Sequence, residues 1–186
     1  MNLCYVFIGP SGSGKTTLAS AVFSPEQKII TYTTRPPRLH ERNNVDYHFI
    51  SKEKFEQMIT ENELAEWDVY ASHYYGSGKQ EILQKLKQGD CYTVITAKGF
   101  WHLYGVFGDC IHPIFVTLPK DQLRERLIKR GDSLEKVQER LALFDADQKE
   151  IDRLKTLPTL LLFENKQSLE IEKEKLKQAI FQTKAH

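Results

Sequence analysis

Residues 3–8 form an unbroken apolar run, Leu-Cys-Tyr-Val-Phe-Ile, whose length and β-rich content fit a strand buried on both faces. A polar, glycine-rich stretch ends it. Residues 15–23 then read as a short helix, which makes the first unit of the chain a strand, a turn and a helix. Residues 28–31 suggest a second brief strand, whereas 32–44 hold Arg, Pro and Asn with almost no apolar periodicity and predict a loop. Residues 46–50 alternate as a strand does, Ser51 is placed to cap a helix running to about residue 59, and 64–69 and 73–75 read as strand pieces. Together they predict a small α+β lobe. Helix-period patterning returns at 80–87 with Gly89 as its stop, and 92–96 and 111–118 follow as apolar strands. Charged amphipathic helices are expected at 120–129 and 133–154, split by Arg130-Gly131. A last strand at 159–163 and a helix at 168–182 complete the pattern. Strands alternating with helices on either side of a small inserted lobe predict an α/β fold around a parallel sheet.

Composition narrows the picture. At 186 residues the chain suits one domain with room for inserted lobes. Lys and Arg outnumber Asp and Glu by 26 to 25, so no overall field draws it to nucleic acid or an anionic membrane, and neither partner is expected. The three cysteines lack metal-ligand spacing and lie in apolar stretches, which predicts free thiols in a reducing compartment. With no leader-like or membrane-length apolar segment, a cytoplasmic location is expected.

The candidate chemistry begins at Gly9–Thr16, GPSGSGKT, which fits GxxxxGK[ST] at each fixed position. Gly9, Gly12 and Gly14 let the backbone turn its N–H groups inward on phosphate oxygens, with Ser11 and Ser13 between them. Lys15 puts a point charge on the outer phosphates, Thr16 offers a hydroxyl to Mg²⁺, Thr17 follows, and the helix start adds its positive dipole end. This is a nucleotide phosphate cradle. A second signal is TTRPPR at 33–38, where two guanidiniums sit three residues apart on backbone stiffened by prolines. Arginine grips phosphate in bidentate fashion, so these residues read either as a second phosphate site or as a solvated basic loop.

GPSGSGKTTL, TTRPPR, VDYHF, ELAEW, YYGSGK, RLIKRG and the late Asn165, in that order, resemble the motif series of guanylate kinase over essentially the whole chain. The resemblance implies a P-loop NTPase three-layer α/β fold with a central parallel sheet. It implies a CORE of residues 1–31 and 80–186, an NMP-binding lobe at 32–79 and a mobile LID at about 126–140. The implied reaction is ATP and GMP giving ADP and GDP with Mg²⁺, in a monomer or homodimer. Carried over by position, Arg35, Arg38, Tyr47 and Tyr75 match the residues that hold the acceptor's phosphate. Glu66 matches the carboxylate that accepts from guanine N1–H and the exocyclic amine, and Ser77 the hydroxyl that donates to the base oxygen. Thr31 stands where serine is usual. Arg126, Arg130 and Arg140 match the arginines that close on the transferring phosphoryl group, and Asn165 joins the ATP side.

The chain departs from the family at VITAKG, residues 94–99, where DIDxxG is typical. Val94 and Thr96 replace both aspartates, one expected near Mg²⁺ and one near the acceptor. His40 and Asn44 replace glycines, and the LID segment is one residue shorter than RGTDSEE. Two other readings therefore stay open: a ribose 1,5-bisphosphate phosphokinase-like enzyme, and a noncatalytic guanylate-kinase-like binding module, against which the intact Lys15-Thr16 argues.

Overall fold

The structure is a computed structural model and describes residues 1–70 and 72–184. In chain order its elements are β1 (Cys4–Ile8), α1 (Lys15–Val22), β2 (Tyr32–Thr33), β3 (His48–Phe49), α2 (Lys52–Thr60), β4 (Leu64–Tyr70) and β5 (His73–Gly78). They continue as α3 (Lys79–Gln88), β6 (Cys91–Val94), α4 (Ala97–Phe107), β7 (Ile111–Thr117), α5 (Lys120–Lys129), α6 (Leu134–Leu154), β8 (Leu161–Glu164) and α7 (Leu169–Lys184). The fold is α/β, with one four-stranded sheet in the order β6-β1-β7-β8 and a second in the order β3-β2-β5-β4.

Two compact units divide the chain, residues 1–5 with 25–111 and residues 6–24 with 112–186. In the second unit β7 and β8 run parallel, from Ile114 opposite Leu161 to Thr117 opposite Glu164. Every residue of β1 is buried, as its unbroken apolar run requires. Leu118, Leu123, Leu127, Val137 and Phe144 form the core between α5 and α6. In the first unit β4 and β5 make an antiparallel hairpin with Glu66 opposite Ser77, and β2 pairs antiparallel with β5 and parallel with β3. Beneath this sheet Phe55, Met58 and Leu64 pack with Tyr32, Ile50 and Tyr74, so the small lobe has its own apolar base.

Ser51 caps α2 as expected, its hydroxyl accepting from Lys54 N at 3.2 Å. Elsewhere the boundaries move for physical reasons. The strand expected at 28–31 reduces to one bridge from Lys28 to Tyr92, and pairing falls instead at Tyr32–Thr33, where β5 supplies the partners. The strand expected at 46–50 narrows to His48–Phe49, while the piece at 73–75 extends to Gly78 along its hairpin partner. The sequence pattern did not announce α4, whose residues AKGFWHLYGVF are mostly apolar; it buries Gly99, Phe100 and Leu103 and exposes Lys98, His102 and Val106. Thr96, expected to end a strand, is its N-cap and accepts from Gly99 N at 3.1 Å.

Candidate functional site

In the second unit the stretch after β1 folds as a cradle. Gly9, Gly12 and Gly14 have φ of 126°, 92° and 92°, conformations that L side chains rarely adopt. A Cβ on Gly9 would lie 2.3 Å from the Val116 carbonyl oxygen, so the cradle is pressed against β7 and admits only glycine there. Gly14 caps α1 without a side-chain hydrogen bond, and the first turn of α1 carries no acidic residue. The N–H groups of that turn therefore keep their capacity for an anion, which the helix dipole favours. Lys15 Nζ donates to the carbonyls of Gly9 at 2.7 Å and Pro10 at 2.8 Å, which holds its charge against the loop. The cleft beside the loop has a volume of about 520 Å³, and its walls include Lys15, Thr16, Thr17, Arg126, Arg130 and Asn165.

The expected arginines and Asn165 of this unit converge on the cradle. Asn165, at the end of β8, donates from Nδ2 to Ser13 O at 2.7 Å, and its backbone N bonds to Thr117 O at 2.8 Å. It thereby ties the loop to the ends of both strands. Arg126 donates to Asn165 O at 2.9 Å. Arg140 donates to Ser11 Oγ at 2.7 Å and lies 3.4 Å from Asp132, which also holds Arg130 at 2.5 Å. The Arg130 hydrogen bond keeps the Asp132 carboxyl below its usual range, with Arg140 adding to the effect. An ionised carboxylate thus keeps both guanidiniums in register beside the loop. Ser13 is buried, and among the described residues no partner is found for its hydroxyl.

In the first unit the arginine loop is built by hydrogen bonds that start at β2. Thr33 Oγ1 donates to Tyr74 O at 2.9 Å and accepts from Arg35 N at 3.1 Å, fixing where Arg35 emerges. Arg35 pairs with Glu41 at 2.9 Å and lies over the rings of Tyr47 and Phe49 at 5.5 and 5.8 Å. Tyr47 and Tyr75 meet edge to face at 6.1 Å, which gathers one guanidinium and two phenols. Arg38 is exposed, but its backbone N donates to Glu41 Oε2 at 2.7 Å. His40 and Asn44, at the two glycine-like positions, keep left-handed φ of 74° and 62°. The turns survive the loss of glycine at a cost of about 1 kcal/mol each. Thr31 is buried, and its carbonyl accepts from His48 N at 3.0 Å.

The same unit buries a carboxylate. Glu66 is 4 % exposed and accepts from the Ser77 hydroxyl at 2.6 Å, a cross-strand pair set by the β4–β5 register. Burial outweighs that hydrogen bond and pushes the Glu66 carboxyl up to about 7. Gly99 in α4 comes so near that a Cβ there would lie 2.7 Å from Glu66 Oε2. Thr96 and Lys98 both reach Asp68, Thr96 Oγ1 at 3.2 Å and Lys98 Nζ at 2.9 Å. Asp68 was missed in the sequence. The signal that could have found it is its spacing, two residues after Glu66 in a strand.

For a metal, no group of three or more His, Cys, Asp or Glu that could hold an ion occurs among the described residues. Thr16, exposed at the start of α1, offers a hard hydroxyl oxygen of the kind that suits a cation retaining several waters. Among the described residues no helix is long and apolar enough to cross a membrane.

Residues 1–183 match the family profile described as guanylate kinase. A guanylate kinase of Bacillus subtilis is 38 % identical over 135 residues, which span 69 % of this chain and 66 % of the relative, just under two thirds of its length. One from Salinibacter ruber is 36 % identical over 154 residues, 80 % of each chain, and one from Listeria monocytogenes is 38 % identical over 82 % of this chain and 76 % of its own. The crystal structure of guanylate kinase from Anaplasma phagocytophilum superposes with a TM-score of 0.69 at 19 % identity, covering 96 % of this chain and 84 % of that one, a likeness of fold.

Proposed function

The chain belongs to the guanylate kinase family, and on that premise we propose that it transfers the γ-phosphoryl group of ATP to GMP, giving ADP and GDP. A phosphate oxygen of GMP attacks the γ-phosphorus, the bond to the β–γ bridging oxygen breaks, and ADP leaves with the electron pair. The observation that carries the choice of acceptor is the buried Glu66–Ser77 pair. A carboxylate accepts from guanine N1–H and from the exocyclic amine, and no adenine edge supplies that pattern. Ser77 spends its proton on Glu66; guanine, by giving its N1–H to that carboxylate, releases the hydroxyl to the base oxygen.

The other roles follow from placement. Backbone N–H groups of Gly9 to Thr17 and the Lys15 ammonium hold the ATP phosphates, and Asn165 holds the loop in shape from Ser13. Arg126, Arg130 and Arg140 neutralise charge on the equatorial oxygens of the moving phosphoryl group, and a segment at about 126–140 acts as the LID. Arg35, Arg38, Tyr47 and Tyr75 take the dianion of GMP, within an acceptor lobe at 32–79 that Thr31 precedes, the CORE being 1–31 and 80–186. Mg²⁺, when bound through Thr16, supplies electrostatic stabilisation to the phosphates. The free thiols of Cys4, Cys91 and Cys110 support a cytoplasmic setting.

With γ-labelled ATP, Mg²⁺ and GMP, label should appear in GDP, and Lys15→Ala should lower that transfer by at least about a hundredfold with an unchanged melting temperature. Equal transfer by parent and variant would remove the P-loop mechanism.

A further inference from the structure

Glu66 and Asp68 are two residues apart on β4, so their side chains leave the same face of the strand with Cα atoms about 7 Å apart. Both meet the beginning of α4: Gly99 closes on Glu66, while Thr96 and Lys98 bond to Asp68. The two oxygens of Asp68 differ. Oδ1 accepts from Lys98 Nζ and from Val69 N, both at 2.9 Å, whereas Oδ2 accepts only the Thr96 hydroxyl among the described contacts. A carboxylate oxygen has capacity for two such bonds, and the side chain is 22 % exposed, so Oδ2 can still accept from a ligand. Burial pushes the Asp68 carboxyl up, but its hydrogen bonds to Lys98, Val69 and Thr96 together hold it below its ordinary value. It is ionised, hence a pure acceptor.

At position 96, where the resemblance to guanylate kinase implies an aspartate, this chain has Thr96, the cap of α4, and its hydroxyl is turned onto the Asp68 carboxylate of β4. We propose that Asp68 is a specificity-determining residue of the acceptor pocket, supplying from β4 the carboxylate absent at position 96 and accepting the second N–H of the guanine exocyclic amine. The proposal rests on GMP being the acceptor. Guanine offers three donors on this edge, N1–H and two amine hydrogens. Glu66 accepts N1–H and one amine hydrogen; without Asp68 the other would have no carboxylate acceptor on this face of β4. Lys98 neutralises the added charge, so two carboxylates share one face.

The test compares GMP with IMP, which lacks the amine, by kcat/KM in the parent, in Asp68→Ala, in Asp68→Ser and in the double variant Asp68→Ala with Thr96→Asp. Removing Asp68 should lower kcat/KM for GMP by about tenfold or more while changing that for IMP by less than about threefold. The double variant, with its carboxylate returned to the start of α4, should regain a GMP-over-IMP ratio near that of the parent. Asp68→Ser, small and polar, reads the same ratio should the alanine variant fold poorly. A purely structural Asp68 would lower both substrates alike, and that result, or an unaltered ratio, overturns the proposal and leaves the GMP reading intact. A ratio that falls and stays low in the double variant overturns the relocation of the carboxylate. A parent that phosphorylates neither substrate overturns the GMP reading, and this proposal with it.

Discussion

Glu66→Gln separates what a buried carboxylate does for guanine from what it costs the fold. The amide keeps an oxygen for the Ser77 hydroxyl at the 2.6 Å site, so the hairpin should stay closed. Because the folded-state carboxyl sits at about 7 against an ordinary 4.5, the folded chain binds this proton more tightly than the unfolded chain does. The resulting stability is fully present below about pH 4.5 and is lost as pH rises through about 7, a swing of about 3 kcal/mol at ~1.4 kcal/mol per tenfold. The variant carries no such titration. Its melting temperature relative to the parent should therefore climb between pH 5 and 8. Function runs the opposite way. An amide offers one acceptor and an unwanted donor, so kcat/KM for GMP should fall by about 2 to 4 kcal/mol, roughly 30- to 1000-fold. In the parent only about a tenth of Glu66 is ionised at pH 6, which predicts an efficiency about tenfold below that at pH 8. GMP's own phosphate titrates near pH ~6, but it does so equally in both proteins and cancels in their ratio. Melts at four pH values and initial rates over pH 6 to 8.5 provide the measurement. A parent-to-variant efficiency ratio that is near unity and flat with pH would refute the reasoning.

Other outcomes follow from individual contacts. Gly9→Ala sets a methyl against the Val116 carbonyl at a φ of 126°, and thermal denaturation should show a loss of about 2 to 4 kcal/mol. Arg126→Ala removes the guanidinium that bridges to Asn165 O, and kcat should fall by at least about a hundredfold while KM for GMP changes little. Thr16→Ala should raise the Mg²⁺ concentration needed for half-maximal rate by about tenfold, with Thr16→Ser near the parent in a Mg²⁺ titration.

What could be read in the sequence was what local chemistry dictates. The cradle is legible because left-handed φ at 9, 12 and 14 demands glycine, and Lys15 and Thr16 have no latitude in spacing. The strand pieces at 64–69 and 73–75 and the Ser51 cap are legible from local propensity, whereas the pairing of β4 with β5 is read only from the structure. Residues 29–34, IITYTT, are β-formers throughout, so nothing local says which of them pair; β5 decides that. The start of α4 was obscured because few polar residues mark its exposed side, where Gly105 and Val106 follow Lys98 and His102, and because its cap, Thr96, doubles as the partner of Asp68. Asp68 itself looks like an ordinary strand residue until α4 is packed against β4. The holding role of Asn165 is tertiary, because only the fold brings Ser13 and Arg126 to it, whereas Asp132 and Glu41 act on Arg130, Arg35 and Arg38 from a few residues away.

The central claim, that guanine is read and its phosphate phosphorylated, is tested most directly by competition. One reaction would hold the protein, γ-labelled ATP, Mg²⁺ and equimolar GMP, AMP, IMP, CMP, UMP and ribose 1,5-bisphosphate, with products separated at early times. The account predicts label overwhelmingly in GDP, with IMP a distant second and AMP at background. Label chiefly in a ribose bisphosphate product, or no transfer by well-folded protein, would contradict it.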